Sequence, residues 1–121
     1  MMDCQWVQEY MLQKPGVETD YKVEWASQRY MVSGKMFCRI GPDKTGTPIV
    51  TLKLRPENGE LFRKQFPGDV VPGYYANKEH WNSIYMNGNV PDDILRGMMD
   101  EAYQLILNGL SKKVQVEILK R

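Results

Sequence analysis

The sequence predicts a single α+β domain, an antiparallel sheet with helices packed on one face. Two patterns carry this. From Tyr21 to Leu54 apolar residues recur with period two between clusters of turn formers, as in short strands joined by tight turns. From Ile94 to Leu110 they recur at spacings of three and four, as along one face of a helix. The 121 residues suit one domain with one modest core. We expect that domain over residues 1–113, followed by a C-terminal tail at 114–121.

A first helix is expected from Asp3 to Gln13, with Asp3 as N-cap and Trp6, Val7, Tyr10 and Met11 turned to the core. Lys14-Pro15-Gly16 ends it, because the residue before a proline avoids helical geometry. Val17 to Tyr21 reads as a loop with acids nearby. Tyr21, Val23 and Trp25 then alternate with Lys22 and Glu24 as a strand. Arg29–Ser33, Lys35–Ile40 and Pro48–Leu54 are three further strands, divided by Ser33-Gly34 and by the loop Gly41–Gly46. In Lys35–Ile40, the third strand of the chain, alternation places Met36, Cys38 and Ile40 on one face and Lys35, Phe37 and Arg39 on the other. In the fourth, Val50, Leu52 and Leu54 face the core, opposite Ile49, Thr51 and Lys53. The non-core face thus gathers Lys35, Arg39, Lys53 and Arg55 around Phe37 and Ile49.

Pro56 to Phe66 reads as a second helix, weakened by Gly59 and ended by Pro67. Gly68 to Gly73 is read as an irregular loop, followed by Tyr74 and Tyr75. Trp81 to Met86 is a strand that joins the sheet, and Asn87-Gly88 is a turn. Pro91 suits a first helical position, and Asp92 and Asp93 set negative charge against the positive end of the next helix. Asn108-Gly109 closes that helix. Ser111 to Lys113 read as a basic linker. The apolar alternation of Val114, Val116 and Ile118 fits a strand, a short helix or an oligomer contact.

Composition excludes several classes. No apolar run approaches the roughly 18 residues of a membrane span, and no basic-then-apolar leader opens the sequence. With only two cysteines, Cys4 and Cys38, reduced thiols in a cytoplasm are expected, and one histidine gives no zinc set. Neither a glycine-rich phosphate loop nor a dinucleotide fingerprint occurs, and no nucleophile–base spacing stands out, so neither enzyme chemistry nor a cofactor is expected. The net charge of +1 argues for no partner by itself. Its distribution says more: five acids face two bases in residues 1–28, nine bases face five acids in 29–81, and 82–121 balance at five each.

Within the basic middle, Asn77-Lys78-Glu79-His80-Trp81-Asn82 is the densest polar cluster, carrying the one histidine beside a tryptophan. Amide, ammonium and imidazole groups beside aromatics suit phosphates and bases. They equally suit a small anion or a protein loop, and His80 equally suits fixing the loop by hydrogen bonds.

The chain resembles the MmcQ/YjbR family. The matching pieces are Val32-x-Gly34-Lys35-Met36-Phe37, Pro67-Gly68, Pro72-Gly73-Tyr74, Asn77-Lys78-x-His80-Trp81-Asn82 and Asn87-Gly88-x-Val90-Pro91-Asp92. Their order and spacing, more than any one of them, make the resemblance specific. Ser33 departs from the pattern, standing where a second glycine is common. The resemblance implies a frataxin (CyaY)-like α+β fold and DNA binding through paired wing-like loops, here Gly41–Gly46 and Asn77–Trp81. Frataxin likeness also suggests iron, but the first helix holds only Asp3 and Glu9, too few acids for an iron-binding ridge.

The combined expectation is a cytoplasmic, non-enzymatic protein that binds duplex DNA. Lys35, Arg39, Lys44, Lys53, Asn77, Lys78, His80 and Trp81 would make the contact. Two rivals stand beside it: a protein-interaction module using the tail and the Tyr74–Trp81 surface, and a binder of small anions centred on Asn77, Lys78 and His80. The sequence leaves the oligomeric state open.

Overall fold

A computed structural model describes residues 4–73 and 77–120. Chain direction reverses where the turn formers stand, and the elements follow in order. Helix α1 spans Gln5–Leu12, strand β1 Val17–Lys22, a 3-10 turn Val23–Trp25, β2 Ser27–Val32, β3 Lys35–Pro42 and β4 Pro48–Lys53. Then come α2 Pro56–Gln65, β5 Val70–Pro72, β6 Trp81–Tyr85, α3 Asp92–Asn108 and α4 Lys112–Leu119. The strands form one sheet of order β1-β2-β3-β4-β6-β5, antiparallel throughout.

One core lies on one face of this sheet. Val7 and Met11 of α1, Met98, Met99, Ala102 and Ile106 of α3, and Ile118 of α4 pack with Tyr30, Val32, Cys38, Val50, Leu52 and Ile84 of the strands. Phe62 and Phe66 close the α2 end. Since all four helices feed this cluster, the opposite sheet face carries no helix among the described residues. Gly59, which weakens α2 as an isolated helix, is buried where the helix crosses Asn82, and a Cβ there would lie 2.8 Å from the Asn82 amide nitrogen. Tertiary fit outweighs propensity at that position.

The structure corrects the sequence reading at three places and decides a fourth, the tail, which the sequence left open between a strand, a short helix and an oligomer contact. The first is β3. The pairing runs Tyr30 to Cys38 and then Met31 to Met36, leaving Phe37 as an extra, bulged residue. Strict alternation therefore fails. Phe37 enters the core together with Cys38 and meets Tyr103 edge-on, with ring centroids 5.8 Å apart. Lys35 pairs with Val32, a core residue, and so belongs to the helix-bearing side of the sheet; Met36 turns the other way.

The second correction concerns residues 17–25, where the strand is Val17–Lys22 and the chain then curls through the 3-10 turn. Alternation of Tyr21, Val23 and Trp25 imitates a strand, but Ala26 takes a left-handed φ of 48° and folds the chain back. Third, Val70–Pro72 is a three-residue edge strand within the expected irregular loop, paired to β6. Fourth, the tail is α4. The Ser111 hydroxyl caps it by accepting from the Val114 N–H at 3.3 Å, Lys112 and Lys113 form its first turn, and Ile118 is buried in the common core. The N-cap of α1 is Cys4 rather than the expected Asp3, which, with the aromatics Tyr74 and Tyr75 and the terminal Arg121, lies outside the described residues.

Candidate functional site

On the helix-free face, strand register sets side chains in rows. One row runs Asp20, Arg29, Arg39, Thr51 and Ser83 across β1, β2, β3, β4 and β6. Arg29 and Arg39 are direct cross-strand partners, an arrangement of like charge that is unfavourable unless offset. Two features offset it. Asp20 accepts from Arg29 Nε at 2.7 Å and Nη2 at 2.5 Å, a two-point contact that holds the Asp20 carboxyl below its ordinary range. Trp25 also folds back over the row. Its ring centre lies 5.1 Å from Lys22 Nζ, 5.9 Å from Arg29 Cζ and 5.6 Å from Arg39 Cζ, so one indole is the common neighbour of three cations.

Glycine makes that overlay possible. A Cβ on Gly41 would stand 2.3 Å from Ser27 Oγ and 2.9 Å from the Ala26 carbonyl oxygen. No other residue lets the chain after Trp25 pass so close to β3. Arg39 is thereby only 7% exposed, and its Nη1 donates to Ser27 Oγ at 3.5 Å, while Trp25 stays 44% exposed. Further along the row the Thr51 and Ser83 hydroxyls hydrogen-bond at 2.8 Å, both buried between larger side chains two residues away on each strand.

Beside Trp25 opens a cleft of about 520 Å³ lined by Glu24, Trp25, Ala26, Met36, Arg39, Pro42 and Asp43. Apolar walls with a few converging polar groups are the usual form of a ligand site. Asp43 is already engaged: it accepts from the Thr45 hydroxyl at 2.7 Å, Tyr85 Oη at 2.8 Å and the N–H groups of Thr45 and Thr47 at 2.8 and 3.0 Å. These bonds, the Thr45 hydroxyl first, lower its pKa to about 2. It stays ionised and anchors the β3–β4 hairpin, whose loop presents Lys44 to solvent.

A second group sits at the other end of the sheet. Lys53 pairs with Trp81 on the same helix-free face. The preceding loop is pinned by backbone: the His80 carbonyl accepts from the Leu54 N–H at 2.8 Å and the Asn77 carbonyl from the Trp81 N–H at 2.9 Å. Asn77 Oδ1 accepts from the Glu79 N–H at 2.8 Å, so Asn77 shapes the turn, while Lys78 is exposed on it. It is the main-chain oxygen of His80 that ties this loop to the end of β4.

The structure therefore brings Lys53, Asn77, Lys78, His80 and Trp81 together, and places Arg39 mid-face. Lys44 lies in the loop beyond β3, whose seven steps from Lys35 to Pro42 alone span roughly 23 Å at about 3.3 Å per residue. The bulge removes Lys35 from this face, and Arg55 precedes α2 with its N–H donating to Glu101 Oε2 at 2.8 Å. Lys22, Trp25 and Arg29 were missed. A lone tryptophan amid charged residues was the available signal, masked by its apparent place in a strand. Among the described residues no three His, Cys, Asp or Glu side chains converge as a metal set. Burial pushes the Cys38 thiol upward, away from the reactive thiolate.

The family model YjbR matches residues 12–105. The chain belongs to the YjbR family. It is 32% identical over 105 residues to Escherichia coli K12 YjbR, covering 87% of each chain. It is 26% identical over 110 residues to YyaQ of Bacillus subtilis, covering 80% of this chain and 92% of that one. Both relatives are named as uncharacterized proteins. Among solved structures, the Deinococcus radiodurans protein DR2400, with a DUF419 domain, aligns with a TM-score of 0.86 at 23% identity, over 98% of this chain and 88% of that one. A Pseudomonas syringae protein aligns with a TM-score of 0.75 at 20% identity, over 87% and 99%. At these identities the structural likeness establishes the shared fold. Among the described residues of this YjbR-family chain, no helix is long and apolar enough to cross a membrane.

Proposed function

We propose that this YjbR-family protein is a non-enzymatic, cytoplasmic nucleic-acid-binding module that meets DNA with the helix-free face of its sheet. The observation that carries the reading is the set of cations on that face. Lys22, Arg29, Arg39 and Lys53 lie on successive strands β1 to β4, Lys78 continues the set in the loop before β6, and Lys44 stands on the β3–β4 hairpin. Strands about 4.8 Å apart spread this set over roughly 14 Å from β1 to β4, enough to meet several phosphates spaced about 3.4 Å along each strand's axis. The two loops that the family resemblance assigns as wings, Gly41–Gly46 and Asn77–Trp81, flank the set.

Phosphate contact releases counterions, so affinity must fall with salt. Arg39 is buried and Arg29 is held by Asp20, so Lys22, Lys44, Lys53 and Lys78 make about four contacts; log K should fall with log salt at a slope of about −3.5 to −4, and affinity should drop about two orders of magnitude between about 50 and 200 mM salt. Fluorescence anisotropy of labelled duplex DNA over that range measures the slope. Absence of binding at the lowest salt contradicts the reading.

A further inference from the structure

We infer that the cleft beside Trp25 is a pocket for one unpaired nucleobase, so that the preferred ligand is a single strand or an unstacked nucleotide rather than intact duplex. The inference rests on the nucleic-acid reading and names the part of the ligand that the cleft takes. Three features of the geometry point to it. First, the indole of Trp25 is 44% exposed although three cations surround it, so an aromatic surface remains for stacking. A base inside a duplex is stacked on both sides and offers no face to such a ring; an unpaired base does, and base–aromatic stacking tolerates any sequence.

Second, the cleft has the right size and lining. About 520 Å³ accommodates a base with part of its sugar, and Met36, Pro42 and Trp25 give apolar walls. Arg39 borders it as a buried guanidinium able to donate to ring nitrogens or carbonyls, and Glu24 borders it as an acceptor for an exocyclic amino group. Third, Lys22 lies against the same indole, so a cation stands beside the base seat where a phosphate flanking a stacked nucleotide falls, while Arg29 is held by Asp20. Glu24 and Asp43 at the rim lower the net positive charge. Pure phosphate attraction is thus weakened here, and stacking must supply the affinity. The β-bulge contributes directly, since it turns Met36 out of the core row and onto this face.

The test compares three probes of about ten nucleotides: a mixed-sequence single strand, the same sequence as duplex, and an abasic strand that keeps the phosphates. Affinities of wild type, Trp25→Ala and Met36→Trp are measured by anisotropy, with circular dichroism and thermal melts confirming folding. Trp25→Ala removes the stacking surface. Met36→Trp fills the cleft and leaves Trp25 in place. The wild type should bind the base-bearing strand about tenfold or more tighter than the abasic strand and tighter than the duplex, and both variants should bring the ratio of base-bearing to abasic affinity close to one. A ratio near one in the wild type, or a high ratio that survives in both variants, overturns the base pocket while leaving phosphate binding in place. No binding of any probe overturns the nucleic-acid reading itself.

Discussion

Phe37→Ala should destabilise the fold by about 3–5 kcal/mol, whereas Lys35→Ala, two residues earlier on the same strand, should change stability by less than about 0.5 kcal/mol. The contrast follows from the bulge in β3. Strict alternation puts Phe37 on the solvated face beside Lys35 and Arg39, where its loss would cost little. The observed register instead sends its ring into the core, fully buried and edge-on to Tyr103 of α3. Removing it leaves a cavity between sheet and helix that close-packed neighbours fill only in part. Urea or thermal unfolding of the two variants measures the difference. Equal, small effects would mean that the ring lies outside the core.

Reversing Lys53 and Lys78 together to glutamate should weaken duplex binding about tenfold or more and reduce the salt slope by about 2, one unit for each lost phosphate contact. Lys53 stands at the β6 end of the helix-free face and Lys78 in the loop that leads into β6, and neither lines the Trp25 cleft. Lys35→Glu provides the internal control. It makes one such reversal, half the change of net charge, on the other side of the sheet, so it should leave both affinity and slope nearly unchanged. A loss of affinity from Lys35→Glu equal to that of the double reversal would move the contact surface away from the face described above.

The sequence made the fold class legible because its two periodicities are strong. The α3 stripe from Ile94 to Leu110 and the alternation in β4 both placed core residues correctly. Alternation misled where the backbone departs from it. A bulge adds one residue to one strand, and nothing in Lys35-Met36-Phe37-Cys38 distinguishes a bulged Phe37 from a regular one. The 3-10 turn was hidden for a related reason, because Val23 and Trp25 keep an alternating pattern that Ala26 then breaks with a left-handed conformation. The edge strand Val70–Pro72 is too short to show a period. Of the candidate site, Asn77 to Trp81 was visible as a local cluster and Lys53 by its place on the non-core face of β4, but their meeting needs the β4–β6 register. The Trp25 group was not visible, since its members come together through cross-strand register between residues up to 17 positions apart, from Lys22 to Arg39.

The most direct test of binding through the helix-free face is an amide-resolved NMR titration of the folded protein with a short oligonucleotide at low salt. The expected result is a continuous set of shifted amides covering Lys22 to Arg29, Met36 to Lys44, Lys53 and Lys78 to Trp81, with α1, α3 and α4 unmoved. Shifts confined to the helices, or no shifts at saturating oligonucleotide, would contradict it.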